Sequence, residues 1–356
     1  MPVITVDWLD GRDPSQKEAL VAALTSVMQR IAGSDPDRVN VIVNDVPVGN
    51  WARGGTLLPA PAPADPGSTA ASSTDVAEPA PTSLVAATDL PLLNVPARIF
   101  DLEQPRTQNM PVHENHQPGY LYVLYRRHDD ALTNGPPGPR SSASGMIVCM
   151  EHSGTHIDAL CHQADNQMLY GEILADSVTS ANGFARHAIE EVPPLVARGV
   201  LLDVARHRGV DTLGRGEAIS AGELQEVCTA AGIEIQAGDV VLVRTGNAVF
   251  WHDPERYLAG PGMDGGVSRW LADRKVLAVG ADNMAWDVIG RYDEELGCHL
   301  PGHLILLAQS GIYIVENLEL EALAAAGIAT FAFVCAPLKF VGATGSPVRP
   351  IALVPA

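Results

Sequence analysis

Residues 57–89 read LLPAPAPADPGSTAASSTDVAEPAPTSLVAATD, and no single packed domain can run through them. Proline, alanine, serine and threonine dominate, and neither a 3.6- nor a 2.0-residue hydrophobic period survives. Such a stretch buries too little apolar surface to offset the entropy of ordering it, so an extended tether is expected. The chain then divides into a small unit at 1–58, a linker at 59–89 and a large unit at 90–356. A length of 356 residues, too great for one typical domain, agrees with that division.

In the small unit, PVITVDW (2–8) has the alternating β-branched residues of a strand. SQKEALVAALTSVMQRIA (15–32) opens on a good N-cap and sets Leu20, Ala23, Leu24, Val27, Met28 and Ile31 on one helical stripe. VNVIVNDV (39–46) reads as a second strand, and glycines 49, 54 and 55 mark turns. A lone β-α-β unit has too little sheet to bury both faces of a core, so it is expected to oligomerise.

Beyond the linker, GVLLDVA (199–205), DVVLVRTG (239–246), KVLAVGAD (275–282) and IATFAFVCAPL (328–338) are apolar runs of strand length. AISAGELQEVCTAAG (218–232) reads as a capped helix ending at glycine, and another helix is expected over 302–310. Alternating strands and helices make the large unit mixed α/β.

A formal net charge of −19 repels phosphate backbones and anionic lipid, so nucleic acid and membrane are excluded as expected partners. No apolar run approaches the roughly 20 residues that span a bilayer. MPVITVDWLDGRD lacks the basic-then-apolar order of a signal peptide. Five cysteines, an odd number without CxxC spacing, suit reduced thiols in the cytoplasm. The expected partners are a small-molecule substrate and further copies of the chain.

Function is concentrated in EHSGTHIDALCHQ (151–163), where three of the chain's 11 histidines stand close to an aspartate. On a straight strand His152 and His156 would lie roughly 13 Å apart, too far for one ion. On a straight helix they would stack, but Asp158 would point away. A bend at Gly154 resolves both difficulties. Asp158 and His162, four residues apart, are then expected on the first turn of a helix facing the same site. Imidazole and carboxylate together suit a divalent ion such as zinc or manganese. Cys161 is out of phase and reads as a packed side chain.

HSGTHIDALCH resembles the His-x-Gly-Thr-His-x-Asp-x-Pro-x-His signature of the metal-dependent cyclase family, which includes kynurenine formamidases and isatin hydrolases; Leu160 replaces the proline. IFDLEQPRTQNMPVH, RGVLLDVA, GDVVLVRTGN, VGADN, GHLILLAQSGIYIVENL and APLKFVGATGSPVRPIAL resemble further family segments, in order, over most of 95–356. The resemblance implies a mixed α/β domain of the swivelling β/β/α kind, with His152, His156 and Asp158 holding a catalytic zinc or manganese ion. It implies a second ion shared by Asp158 with His303 and Glu316, and His162 as the acid/base group. From its own surroundings Glu316 could instead cap a helix. The implied reaction is hydrolysis of an amide, formamide or lactam.

With the initiator methionine removed, Pro2 presents a secondary amine, and burial beside a cation favours its neutral, basic form. PVITVDWLDGR, the helix and VNVIVNDVPVGNWARGG resemble the 4-oxalocrotonate tautomerase family over residues 2–56, a family of trimers and hexamers. That resemblance implies Pro2 as general base, Arg12 as the group that binds a substrate carboxylate, and Trp51 as a pocket wall. Asn40 stands where those tautomerases have arginine, which removes a bidentate carboxylate contact and argues against a dicarboxylate substrate.

Other signals are weaker. GATGSP (342–347) lacks the GKS/T ending of a phosphate loop. Asp282 and Asn283 end a buried strand and read equally as site residues or caps. His113 and His116 lie in a proline-bearing loop and read either as pocket lining or, the favoured expectation, as solvated side chains. The whole reads as a cytoplasmic, homo-oligomeric hydrolase fused to a tautomerase-like unit. Two rivals are a metal-dependent cyclase or dehydratase with the small unit as scaffold, and a non-catalytic metal-binding assembly protein. The second rival has no use for His162.

Overall fold

The computed structural model describes residues 3–9, 14–32, 35–36, 39–46, 52–53, 56–57, 96–128 and 141–356. The linker, Pro2, Arg12 and Trp51 lie outside the described residues. By their contacts, Met1–Glu78 and Pro79–Ala356 are two compact units.

In the first unit, β1 (Val3–Leu9) and β2 (Asn40–Val46) pair in parallel, with Val3 opposite Asn40 and Leu9 opposite Val46. Parallel neighbours need a long crossover, and α1 (Pro14–Ala32) supplies it. The expected apolar stripe is only half covered: Leu20, Leu24, Val27 and Met28 are half-buried and Ala23 is exposed. Asn40, at the start of β2, is exposed.

The second unit is organised by a nine-stranded sheet. Its strands are β3 (Ala97–Asp101), β4 (His156–Asp158), β5 (Leu195–Asp203), β6 (Val240–Arg244), β7 (Ala278–Ala281), β8 (Tyr313–Glu316), β9 (Thr330–Cys335), β10 (Gly345–Pro347) and β11 (Ile351–Pro355). Their spatial order is β10-β4-β8-β7-β6-β5-β9-β11-β3. The four central strands, β5 to β8, run parallel, and antiparallel strands flank them on both sides.

The central strands read as unbroken apolar runs because both faces are covered. Leu201, Val240, Leu242 and Val315 enter one core with Phe331 and Phe333. The alternate residues Val200, Leu202, Val241, Val243 and Ile314 enter a second core with Leu224 and Leu271. Each such side chain contributes about 1.5–3 kcal/mol on leaving water. The helix expected over 218–232 is α2 (Ala221–Ala231): the Ser220 hydroxyl accepts the Glu223 N–H at 3.3 Å, and Gly232 closes it in the left-handed conformation.

Three features differ from expectation. The segment at 302–310 is one α-turn, α3 (Pro301–His303), that runs on as a π-helix over Leu304–Ser310. No helix starts at Asp158: β4 ends there, and a 3-10 turn at Leu160–His162 follows. Tyr120–Arg126 and Ser144–Cys149 form an antiparallel hairpin, which YLYVLYR conceals because its apolar residues do not alternate. Among the described residues no helix is long and apolar enough to cross a membrane.

Candidate metal centre and active site

Gly154 makes the bend. Its φ is +63°, and the turn around it is tied from several sides. The Arg106 guanidinium donates to the carbonyls of Ser153 and Thr155. The Asn317 amide donates to the Gly154 carbonyl at 3.0 Å, and the Thr155 hydroxyl to the Asn317 carbonyl at 2.6 Å. After this turn β4 begins, and its two-residue period sends His156 and Asp158 to one face while Ile157 enters the core. Antiparallel pairing with β8 sets Glu316 directly opposite His156.

The five residues expected to hold metal therefore meet, and all five are buried. Donor atoms of His152, His156 and Asp158 lie within 4.8 Å of one another, and so do those of Asp158, His303 and Glu316. His152 Nδ1 is 2.8 Å from Asp158 Oδ1. His156 Nε2 is 3.5 Å from the same oxygen and 3.4 Å from Glu316 Oε2. His303 Nε2 is 3.2 Å from Glu316 Oε1 and 3.8 Å from Asp158 Oδ2. That last oxygen is buried and has no hydrogen-bond partner among the described residues.

Burial sets most of the proton affinities. It pushes His156 and His162 down to about 3, so both are neutral at neutral pH. It also opposes charge on His152 and His303, but neighbouring carboxylates prevail there. Asp158 raises the first, Asp287 and Glu316 the second. Burial raises Glu316. Burial acts on Asp158 in the same sense, yet the surrounding histidines outweigh it and hold its carboxyl below the usual range.

His162, on the 3-10 turn, stacks on His152 with ring centroids 3.9 Å apart and planes at 28°. It faces a cavity of about 220 Å³, which apolar Val112, Met284, Ile289 and Leu300 also line. His113 and His116 belong to the cavity wall rather than to open solvent, and the His116 ring centroid is 5.2 Å from that of His152. Glu316 is no helix cap: its Oε1 accepts the Trp286 N–H at 2.7 Å and its carboxylate faces the histidines. Asp282 stands off the cavity wall, where it accepts the Thr245 and Gly246 N–H groups and the Thr245 hydroxyl, each at 2.8 Å. Cys161 is packed in the core, and burial pushes its thiol up to about 12.

Residues 100–288 match the family model described as "Putative cyclase", more than half of the chain. The chain belongs to that cyclase family. Its cyclase-family unit is similar to isatin hydrolase of Roseibium aggregatum, 27% identical over 222 residues, which are 60% of this chain and 75% of that protein. A crystal structure of a novel cyclase superposes with a TM-score of 0.67 at 28% identity, covering 77% of this chain and 91% of that one. Residues 2–60 match a second model, described as "Tautomerase enzyme". A probable tautomerase of Ralstonia nicotianae is 39% identical over 57 residues, 16% of this chain and 88% of that protein, so this segment belongs to the tautomerase family.

Sequence reasoning missed several residues that brace this cyclase-family site. Asp287 accepts His303 Nδ1–H at 2.7 Å and the Gly302 N–H at 2.6 Å. Arg106, Asn317, Glu151 and Thr344 also hold the backbone around Gly154 or the His152 ring. Asp287 lies in AWDVIG, a segment with no motif spacing. For Glu151 and Asn317 the one available signal was adjacency to a ligand candidate.

Proposed function

We propose that the large unit is a metal-dependent hydrolase that opens a C–N bond in a small amide, formamide or lactam. The donor set fits a divalent cation. His156 Nδ1 lies 2.8 Å from the Gly154 carbonyl and His303 Nδ1 lies 2.7 Å from Asp287 Oδ2. A carbonyl and a carboxylate only accept, so each ring carries a hydrogen on Nδ1. Neutral His156 therefore turns an Nε2 lone pair inward, and His303 does so once a cation displaces the second proton that Asp287 and Glu316 favour. Those lone pairs face the carboxylates of Asp158 and Glu316 at 3.2–3.8 Å in a buried site. For neutral His156 such a contact is repulsive without a cation, and unpartnered Asp158 Oδ2 adds to the demand.

In this reading His152, His156 and Asp158 hold one zinc or manganese ion, and Asp158, His303 and Glu316 hold a second. A bound divalent ion lowers the pKa of water toward neutrality and polarises a carbonyl oxygen. His162 supplies the proton traffic: it is neutral, lines the cavity, and makes no hydrogen bond to another described side chain. It takes a proton from the attacking water and returns it to the departing nitrogen. Val112, Met284, Ile289 and Leu300 hold the apolar part of the substrate and exclude bulk water.

The inward lone pairs around unpartnered Asp158 carry this reading. Zinc- or manganese-loaded protein should hydrolyse at least one member of a panel of formamides, isatins and cyclic imides, and a chelator should stop it. A loaded protein that retains no divalent ion would overturn the reading. For residues 2–60, tautomerase-family membership supports Pro2 as base, Arg12 as carboxylate binder and assembly into a homo-oligomer. The free cysteines agree with a cytoplasmic setting.

A further inference from the structure

We propose that Glu151 and Thr344 are positioning residues that fix the tautomer and aim of His152, so that Nδ1 is the atom it offers to a cation. This rests on the metal reading above. It also gives a role to GATGSP, the glycine-rich segment that is not a phosphate loop.

That segment leads into β10, which pairs with β4, and the Ala159 N–H donates to the Thr344 carbonyl at 2.9 Å. Thr344 thereby stands beside the His152 ring. The approach is close: a Cβ at Gly345 would sit 2.7 Å from His152 Cε1 and 3.0 Å from the Ile157 carbonyl oxygen. Only glycine leaves that space open.

The Thr344 hydroxyl lies 2.6 Å from Glu151 Oε1 and 2.8 Å from His152 Nε2. Glu151 also accepts the backbone N–H groups of Thr344 at 3.1 Å and Gly345 at 3.4 Å through its other oxygen. A hydroxyl has one hydrogen. Here it goes to the carboxylate, the stronger acceptor, and the hydroxyl oxygen must then accept from His152 Nε2–H. A neutral ring with its hydrogen on Nε2 keeps the lone pair on Nδ1, which sits 2.8 Å from Asp158 Oδ1. Two buried acceptors that close need a proton or a cation between them.

Glu151 cannot do this directly, since its nearer oxygen is 4.0 Å from His152 Nε2. The threonine hydroxyl bridges the gap. The chain Glu151–Thr344–His152 is thus a carboxylate–histidine arrangement with one hydroxyl inserted, the kind of outer support that orients a ligand ring and raises its basicity.

Calorimetric titration of the full-length protein with manganese alone tests this. Thr344→Val keeps the shape and removes the hydroxyl, and should weaken binding by about 10–100-fold, whereas Thr344→Ser should stay within about threefold of wild type. Long-range proton–nitrogen NMR of the zinc-loaded wild type should show the His152 hydrogen on Nε2, and this decides the matter if the valine variant does not fold. Wild type that binds no divalent ion overturns the metal reading and this inference together. Wild type that binds, with Thr344→Val binding equally well or with the hydrogen on Nδ1, overturns this inference alone.

Discussion

Replacing Gly154 with alanine is the sharpest single perturbation of the bend. At φ +63° a residue with a Cβ is forced into the left-handed region, which costs about 1–2 kcal/mol. The new Cβ would stand 2.5 Å from Arg106 Nη1 and 3.0 Å from its Cζ, so the guanidinium must move. Arg106 donates to the carbonyls of Ser153 and Thr155 on either side of the glycine, and losing one such charge-assisted bond costs about 1.5–3 kcal/mol. Together these give a destabilisation of roughly 3–5 kcal/mol, or a fall in Tm on the order of 10 °C for a unit of this size. The turn spans the two ligand histidines, so manganese affinity should fall as well. Thermal unfolding and calorimetric titration of Gly154→Ala, Arg106→Met and the double variant read both effects. The double variant should lose less than the two single losses added, because methionine removes the clash. A Gly154→Ala protein with wild-type Tm and wild-type manganese affinity would refute the argument.

Three further outcomes are expected. His156→Ala should lose both metal binding and hydrolysis, while His162→Ala should keep its metal, shown by elemental analysis, and lose about 10²–10⁴-fold in kcat. Burial pushes Asp282 up to about 6, above an ordinary aspartate near 4, so the native state holds a proton that the unfolded chain releases between those values. Its contribution therefore favours the fold at low pH and is lost as pH rises through about 6, by roughly 2–3 kcal/mol, and denaturant titrations of Asp282→Asn should lack that part of the pH dependence. A residue placed before Pro2 should stop enol–keto conversion of phenylenolpyruvate and leave amide hydrolysis unchanged; retained conversion would remove Pro2 from the mechanism.

Much of this was legible because it is local. Val240–Arg244 and Ala278–Ala281 announce themselves as buried strands by being apolar throughout, and α2 by Ser220 and Gly232 at its ends. The bend at Gly154 follows from the impossibility of gathering His152, His156 and Asp158 on a straight segment. The i, i+4 spacing of Asp158 and His162 misled, because a strand pairing on both sides holds residues 156–158 extended. Tertiary partners were out of reach for the same reason that they matter. Asp287 meets His303 across 16 positions, and Thr344 meets His152 across 192. Periodicity carries no information at those separations.

The central claim is that residues 152–158 and 303–316 hold divalent cations. Anomalous diffraction at the manganese edge, from crystals of the full-length protein grown with manganese, tests it most directly. The account predicts a peak within bonding distance of His152, His156 and Asp158, and a second beside Asp158, His303 and Glu316 at higher manganese concentration. Manganese peaks elsewhere in the lattice, with none among these side chains, would contradict it.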